Sequence, residues 1–101
     1  MAGKTAMKAP TVYIITNKHN SRLHIGVTSK LTQRMYQHKN GAVPGICAKY
    51  KLDKLVFFEH YSTMEAAILR GKRLNNWHLE SKNKLITEQN PKWRDLYPFL
   101  A

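Results

Sequence analysis

Tyr13, His24, Arg34 and His38 are four side chains of types that can work together on a phosphate ester. A phenol or an imidazole can help to activate water. An arginine can clamp a phosphate while negative charge develops on it. Gly26 follows His24 by two residues and calls for a reason of its own. A glycine inside a strand marks a bulge, or a place where something comes close to the backbone. The spacing alone also allows a plainer arrangement. In it Tyr13 packs through its ring, His24 faces solvent, and the stem of Arg34 covers a sheet.

The surrounding residues predict the elements that would position this set. Thr11 to Thr16 is β-branched and aromatic, as is much of Leu23 to Thr28. Both read as strands, and the short polar connection between them makes an antiparallel hairpin. Ser29 is the expected cap of a helix beginning near Lys30, in which Leu31, Met35 and His38 recur at helical spacing with Arg34 on the same side. Asn40-Gly41 stops that helix. A loop with Pro44 and Gly45 follows, with a short helical stretch around Ala48. Lys54 to Tyr61 reads as a third strand.

Ser62-Thr-Met-Glu65 matches a capping box. In the helix it opens, Met64, Ala67, Ile68, Leu74 and Trp77 are the expected apolar face, with Gly71 inside it. A last helix runs from about Leu79 to Gln89, and Asn90-Pro91 ends it. Trp93, Leu96, Tyr97 and Phe99 are expected to fold back on the core. The fold expected is α/β of the α+β kind: a small three-stranded antiparallel sheet flanked by helices, in the order β-β-α-β-α-α. Residues 1–10 read as a flexible basic arm, and residues 11–101 as one domain.

Charge narrows the class of partner. The chain has 17 Lys and Arg against 6 Asp and Glu, a formal net charge of +11 over 101 residues. Such a field draws polyanions, of which nucleic acid is the commonest. A single cysteine, Cys47, forms no internal disulfide and no four-ligand zinc site. No window resembles a membrane span. The reading is therefore a cytoplasmic protein with no membrane partner, either a monomer or a weak homodimer.

Val12-Tyr-Ile, with Ile25-Gly26 about a dozen residues later, resembles the paired signature of the GIY-YIG nuclease superfamily. Within it the chain is similar to the small stand-alone, URI-type endonucleases. The likeness continues through Val12-Tyr-Ile-Ile-Thr-Asn-Lys18, Leu23-His-Ile-Gly-Val-Thr-Ser29, Gln33-Arg-Met-Tyr-Gln-His-Lys39 and Asn90-Pro-Lys-Trp-Arg-Asp-Leu96. The resemblance implies a divalent-metal-dependent endonuclease, using Mg²⁺ or Mn²⁺ and hydrolysing DNA, with single-stranded or branched DNA as candidate substrates.

Residue by residue, the resemblance implies the following roles. The first-motif tyrosine falls on Tyr13 and the second on His24, a change from phenol to imidazole. The motif glycine falls on Gly26, the catalytic arginine on Arg34 and the helix histidine on His38. Asn90 matches an asparagine that supports the pocket. Lys39 would contact backbone phosphate. Lys30, Arg70, Lys72 and Arg73 supply further positive charge for DNA.

The family's metal-binding glutamate falls on Gly71, in the run Arg70-Gly-Lys-Arg73. Glycine offers no carboxylate, so the cation is expected to be held weakly. Three readings of Gly71 stay open: a glycine substituted into an otherwise active enzyme, a natural DNA-binding relic, or a ligand supplied instead by Glu59. The functions that follow are an impaired endonuclease or a catalytically inactive DNA-binding module. A protein-interaction domain using the same basic surface is a third. Repair, recombination and competence-linked DNA processing all stay open as the setting.

Overall fold

The computed structural model describes residues 9–100. Apart from Ala9 and Pro10, the basic arm expected over residues 1–10 lies outside the described residues.

Strand β1 (Thr11–Thr16) is buried along its whole length because it lies in the middle of the sheet, with order β2-β1-β3. It pairs antiparallel with β2 (Leu23–Thr28) on one side and with β3 (Lys54–His60) on the other. The register places Tyr13 opposite Gly26 and Ile15 opposite His24. The pairing with β3 carries an irregularity between Ile14 and Ile15. Among the described residues the order is β1-β2-α1-α2-β3-α3-α4, ending in a 3₁₀ turn, Tyr97–Phe99. The helices are α1 (Leu31–Lys39), α2 (Ile46–Lys49), α3 (Met64–Asn75) and α4 (Leu79–Gln89). This is the α+β architecture read from the sequence.

Period-2 alternation along β1 divides the core into two layers. Val12 and Ile14 join Ile25, Phe57, Ala67, Leu74 and Ile86, so α3 and α4 cover that face. Tyr13 and Ile15 join Leu31, Met35, Cys47 and Leu52, so α1 and α2 cover the other. The site residues of the hairpin therefore lie on the α1 face.

Several local expectations are corrected. The N-cap of α1 is Lys30 and not Ser29; no side chain caps the helix, and the Thr28 hydroxyl accepts from the Lys30 amide at 3.0 Å. The cap of α3 is Thr63 and not Ser62, its hydroxyl accepting from the Ala66 amide at 3.1 Å. The capping box is therefore displaced by one residue, and Glu65 simply sits in the first turn, where an acid suits the helix dipole. The buried stripe of α3 is narrow: Ala67, Gly71 and Leu74. Met64, Ile68 and Trp77 are exposed instead. Trp93, Leu96 and Tyr97 pack back on the core as expected, whereas Phe99 is 71% exposed.

Asn90 is a structural clamp at the end of α4. Its amide nitrogen donates to the carbonyls of Val56 and Arg94, and its amide oxygen accepts from the Arg94 amide at 3.1 Å. It thus joins the C-terminal segment to β3. That strand is at the opposite edge of the sheet from β2, so Asn90 supports the fold there.

Candidate active site

The hairpin and α1 bring Tyr13, His24 and His38 together. The Tyr13 hydroxyl lies 3.1 Å from His38 Nε2, both of them buried. The His24 and His38 rings are 6.3 Å apart, centroid to centroid, and Tyr13 and His38 are 5.8 Å apart. His38 can reach the strand because it is on the buried face of α1 with Leu31 and Met35.

Gly26 makes this arrangement possible. A Cβ at position 26 would fall 2.4 Å from both Cζ and the hydroxyl oxygen of Tyr13. No side chain fits there while the ring stays in place. Of the two sequence readings of Gly26, close approach is the one found, and what approaches is the phenol of Tyr13.

Burial sets the protonation states. It pushes the Tyr13 phenol up to about 12, against a partial pull downward from the Arg34 charge. The phenol is therefore protonated at neutral pH. Burial, then the facing His24 and Arg34, push His38 down to about 4. His24 is also lowered by burial. Both imidazoles are neutral near pH 7 and so stand in the proton-accepting form. His38 Nδ1 is buried and, among the described residues, has no hydrogen-bond partner. Either neutral tautomer leaves that nitrogen unpaired, and protonation would add a second buried donor.

This gives a stability prediction. An unfolded histidine titrates near 6.5, so between that value and about 4 the unfolded chain holds the extra proton. Stability due to neutral His38 is present above pH 6.5 and is lost as pH falls toward 4. The loss is at most about 3 kcal/mol. Urea midpoints taken from pH 7.5 to 4.5 should fall steeply for the unaltered chain and less steeply for His38→Gln. Parallel curves would contradict this view of His38.

The positive side chains divide into two groups. Lys39 is held by Asp95 at 2.5 Å and by the Asp53 carbonyl at 2.9 Å. Arg70 is held by Glu59 through two bonds, at 3.0 and 3.4 Å. Each therefore has a carboxylate partner within the fold. Lys30, Lys72 and Arg73 are exposed. Arg34 lines an open groove of about 190 Å³ with Thr28, Ser29, Lys30, Gln33 and Gln37. Gln33 and Gln37 were not singled out by sequence. Their signal is the spacing with Arg34, which places the three on one face of α1, below the N-cap Lys30.

Gly71 faces the other layer. A Cβ there would lie 3.0 Å from Val27 Cγ2. Val27 packs with the α3 side of the core, across β2 from His24 and Gly26. Because β2 is an edge strand, a long side chain at 71 could reach the cluster only round that edge. Glu59 is no substitute ligand: it accepts from Arg70 and from the Tyr61 hydroxyl, and it lies on β3, away from β2. Among the described residues, no group of three or more His, Cys, Asp or Glu is arranged to hold a metal ion. One phenol and two imidazoles are a poor donor set for Mg²⁺, which favours carboxylate oxygens. The residues present do not fit the cation.

The family model for the GIY-YIG catalytic domain matches residues 9–86, well over half of the chain. The chain belongs to the GIY-YIG family. No curated protein and no solved structure matches in the other two comparisons. Membership makes the domain nuclease-type, with DNA as its class of substrate. The match runs from the hairpin into α4, so it covers Tyr13, His24, Arg34, His38 and position 71. Asn90 falls beyond its end. No helix among the described residues is long and apolar enough to cross a membrane.

Proposed function

We propose that this GIY-YIG domain binds DNA and that its phosphodiester hydrolysis is impaired because Gly71 replaces a metal-binding carboxylate. The observation that carries this reading is the contrast between two positions. The Tyr13–His38 contact and its glycine seat at Gly26 are intact, while position 71 has no ligand and is packed against Val27.

The side chains divide the work as follows. Arg34 holds the phosphate and offsets charge that develops on it. His24, neutral and next to the cluster, takes a proton from an attacking water. Tyr13 is a fixed hydroxyl, oriented by His38. Lys30, Lys72 and Arg73 make backbone contacts, and Lys39 and Arg70 serve the fold through their carboxylate partners. The family's Mg²⁺ or Mn²⁺ binds weakly here. The inactive DNA-binding module is the limiting form of this reading, reached if residual turnover is nil.

Fluorescence anisotropy with labelled single-stranded, duplex and branched DNA over a range of salt tests the binding half. Affinity should fall steeply and linearly on logarithmic axes as salt rises. Absence of salt-dependent affinity for all three would sink the proposal.

A further inference from the structure

The groove beside Arg34 is small and polar. Its volume of about 190 Å³ is below the roughly 300–1,000 Å³ of pockets that enclose drug-sized ligands. It suits a phosphodiester group and does not suit an enclosed base. Gln33, Arg34 and Gln37 line it from one face of α1, Lys30 from the N-cap position that precedes the helix, and Thr28 and Ser29 close one end.

This face is unfavourable for the helix by itself. Like charges four residues apart repel. Helix α1 has no acidic residue in its first turn and no side-chain cap. The ion pairs found among the described residues, Lys39–Asp95 and Arg70–Glu59, leave Lys30 and Arg34 without a carboxylate. A bound anionic strand reverses each of these costs: it offsets the like charges and lies near the positive end of the helix.

We propose that this groove is a second phosphate subsite, in which Lys30, Gln33 and Gln37 hold the phosphodiester next to the one on Arg34. The inference rests on the DNA-binding reading above and adds a path for the strand. Lys30 and Arg34 are about 6 Å apart along the axis at 1.5 Å per residue, a separation that suits successive phosphates of one strand. One strand then runs along α1. The two glutamine amides are neutral donors that reach phosphate and sugar oxygens between the cations.

The test is anisotropy on the full chain with a labelled single-stranded oligonucleotide over a range of salt. Variants are Lys30→Ala, the double change Gln33→Ala with Gln37→Ala, and Lys92→Ala as a remote control. Alanine favours the helix interior at Gln33 and Gln37, and the Lys30 side chain makes no capping bond to lose, so folding is not at risk. Lys30→Ala should weaken binding and reduce the logarithmic salt slope by about 0.7, the value for one phosphate on a single strand. The double glutamine variant should bind about tenfold more weakly with its slope unchanged, since its donors carry no charge. Lys92→Ala should match the unaltered chain. If the unaltered chain binds with a steep slope and both groove variants match it, the subsite is overturned alone. If the unaltered chain shows no salt-dependent binding, the DNA reading falls and the subsite with it.

Discussion

Gly26→Ala is expected to destabilise the domain by about 3 kcal/mol, at the upper end of the range for overpacking a core. The added methyl would lie 2.4 Å from the Tyr13 ring and hydroxyl. Tyr13 has little room to yield. It is 3% exposed, it packs with Leu31 and Met35, and its hydroxyl meets His38. Moving the ring breaks that contact and leaves a second polar atom unpaired beside the already orphaned His38 Nδ1. Urea denaturation measures the loss. Tyr13→Phe is the companion variant: it removes only the hydroxyl and should cost about 1 kcal/mol. A Gly26→Ala chain as stable as the original would mean that the ring does not occupy this position.

The second large effect is at position 71. On the role proposed for position 71, Gly71→Glu should bind Mn²⁺ at least tenfold more tightly than the unaltered chain, because it supplies a carboxylate that can reach round the edge of β2 toward the cluster. Two effects on its stability oppose each other. Replacing a helix-interior glycine gains up to about 1 kcal/mol in propensity. Crowding against Val27, with a Cβ 3.0 Å from Cγ2, costs about 1–3 kcal/mol. Valine is stiff at χ1 and yields little. Crowding outweighs the gain in propensity, so Gly71→Glu should be the less stable protein. Adding Val27→Ala should then recover part of the loss. Calorimetric titration of Mn²⁺ and urea midpoints of the three proteins check the two halves separately. Equal Mn²⁺ affinity in all three would mean that Gly71 does not limit metal binding.

Gly71 also shows where the sequence stops being legible. Its place in the apolar stripe of α3 follows from the distance to Ala67 and Leu74. Its contact with Val27 depends on how closely α3 settles on β2, which no local pattern encodes. The same holds for Lys39 and Arg70. Their charge was legible, but their partners Asp95 and Glu59 are 56 and 11 residues away, and only the folded chain brings them together. The strands and the main helices were legible because their periods differ and because Asn40-Gly41 and Asn90-Pro91 punctuate them. The caps were harder. Adjacent hydroxyls offer competing caps at Ser62-Thr63, where Thr63 takes the position, while at Thr28-Ser29 neither does and the N-cap falls on Lys30.

At the site itself, Tyr13, His24 and His38 were legible as a set through the family resemblance: a hairpin followed at once by a helix lets them converge, but the spacing alone left a plainer arrangement open. Their protonation was not, because it depends on burial. Ile68 and Trp77 were misplaced because small residues, Ala67 and Gly71, occupy the stripe that faces the sheet. Bulky neighbours at nearby positions are then left outside.

On the function proposed above, Gly71 separates attraction to DNA from turnover. The decisive measurement is the initial rate of cleavage of labelled single-stranded, duplex and branched DNA with Mn²⁺, for this chain and for Gly71→Glu, each at saturating protein. Similar DNA affinity is expected, with a rate at least about 100-fold higher for the glutamate variant, the scale of losing one charge-stabilising partner in the transition state. Equal cleavage rates for the two proteins would contradict the role given to Gly71.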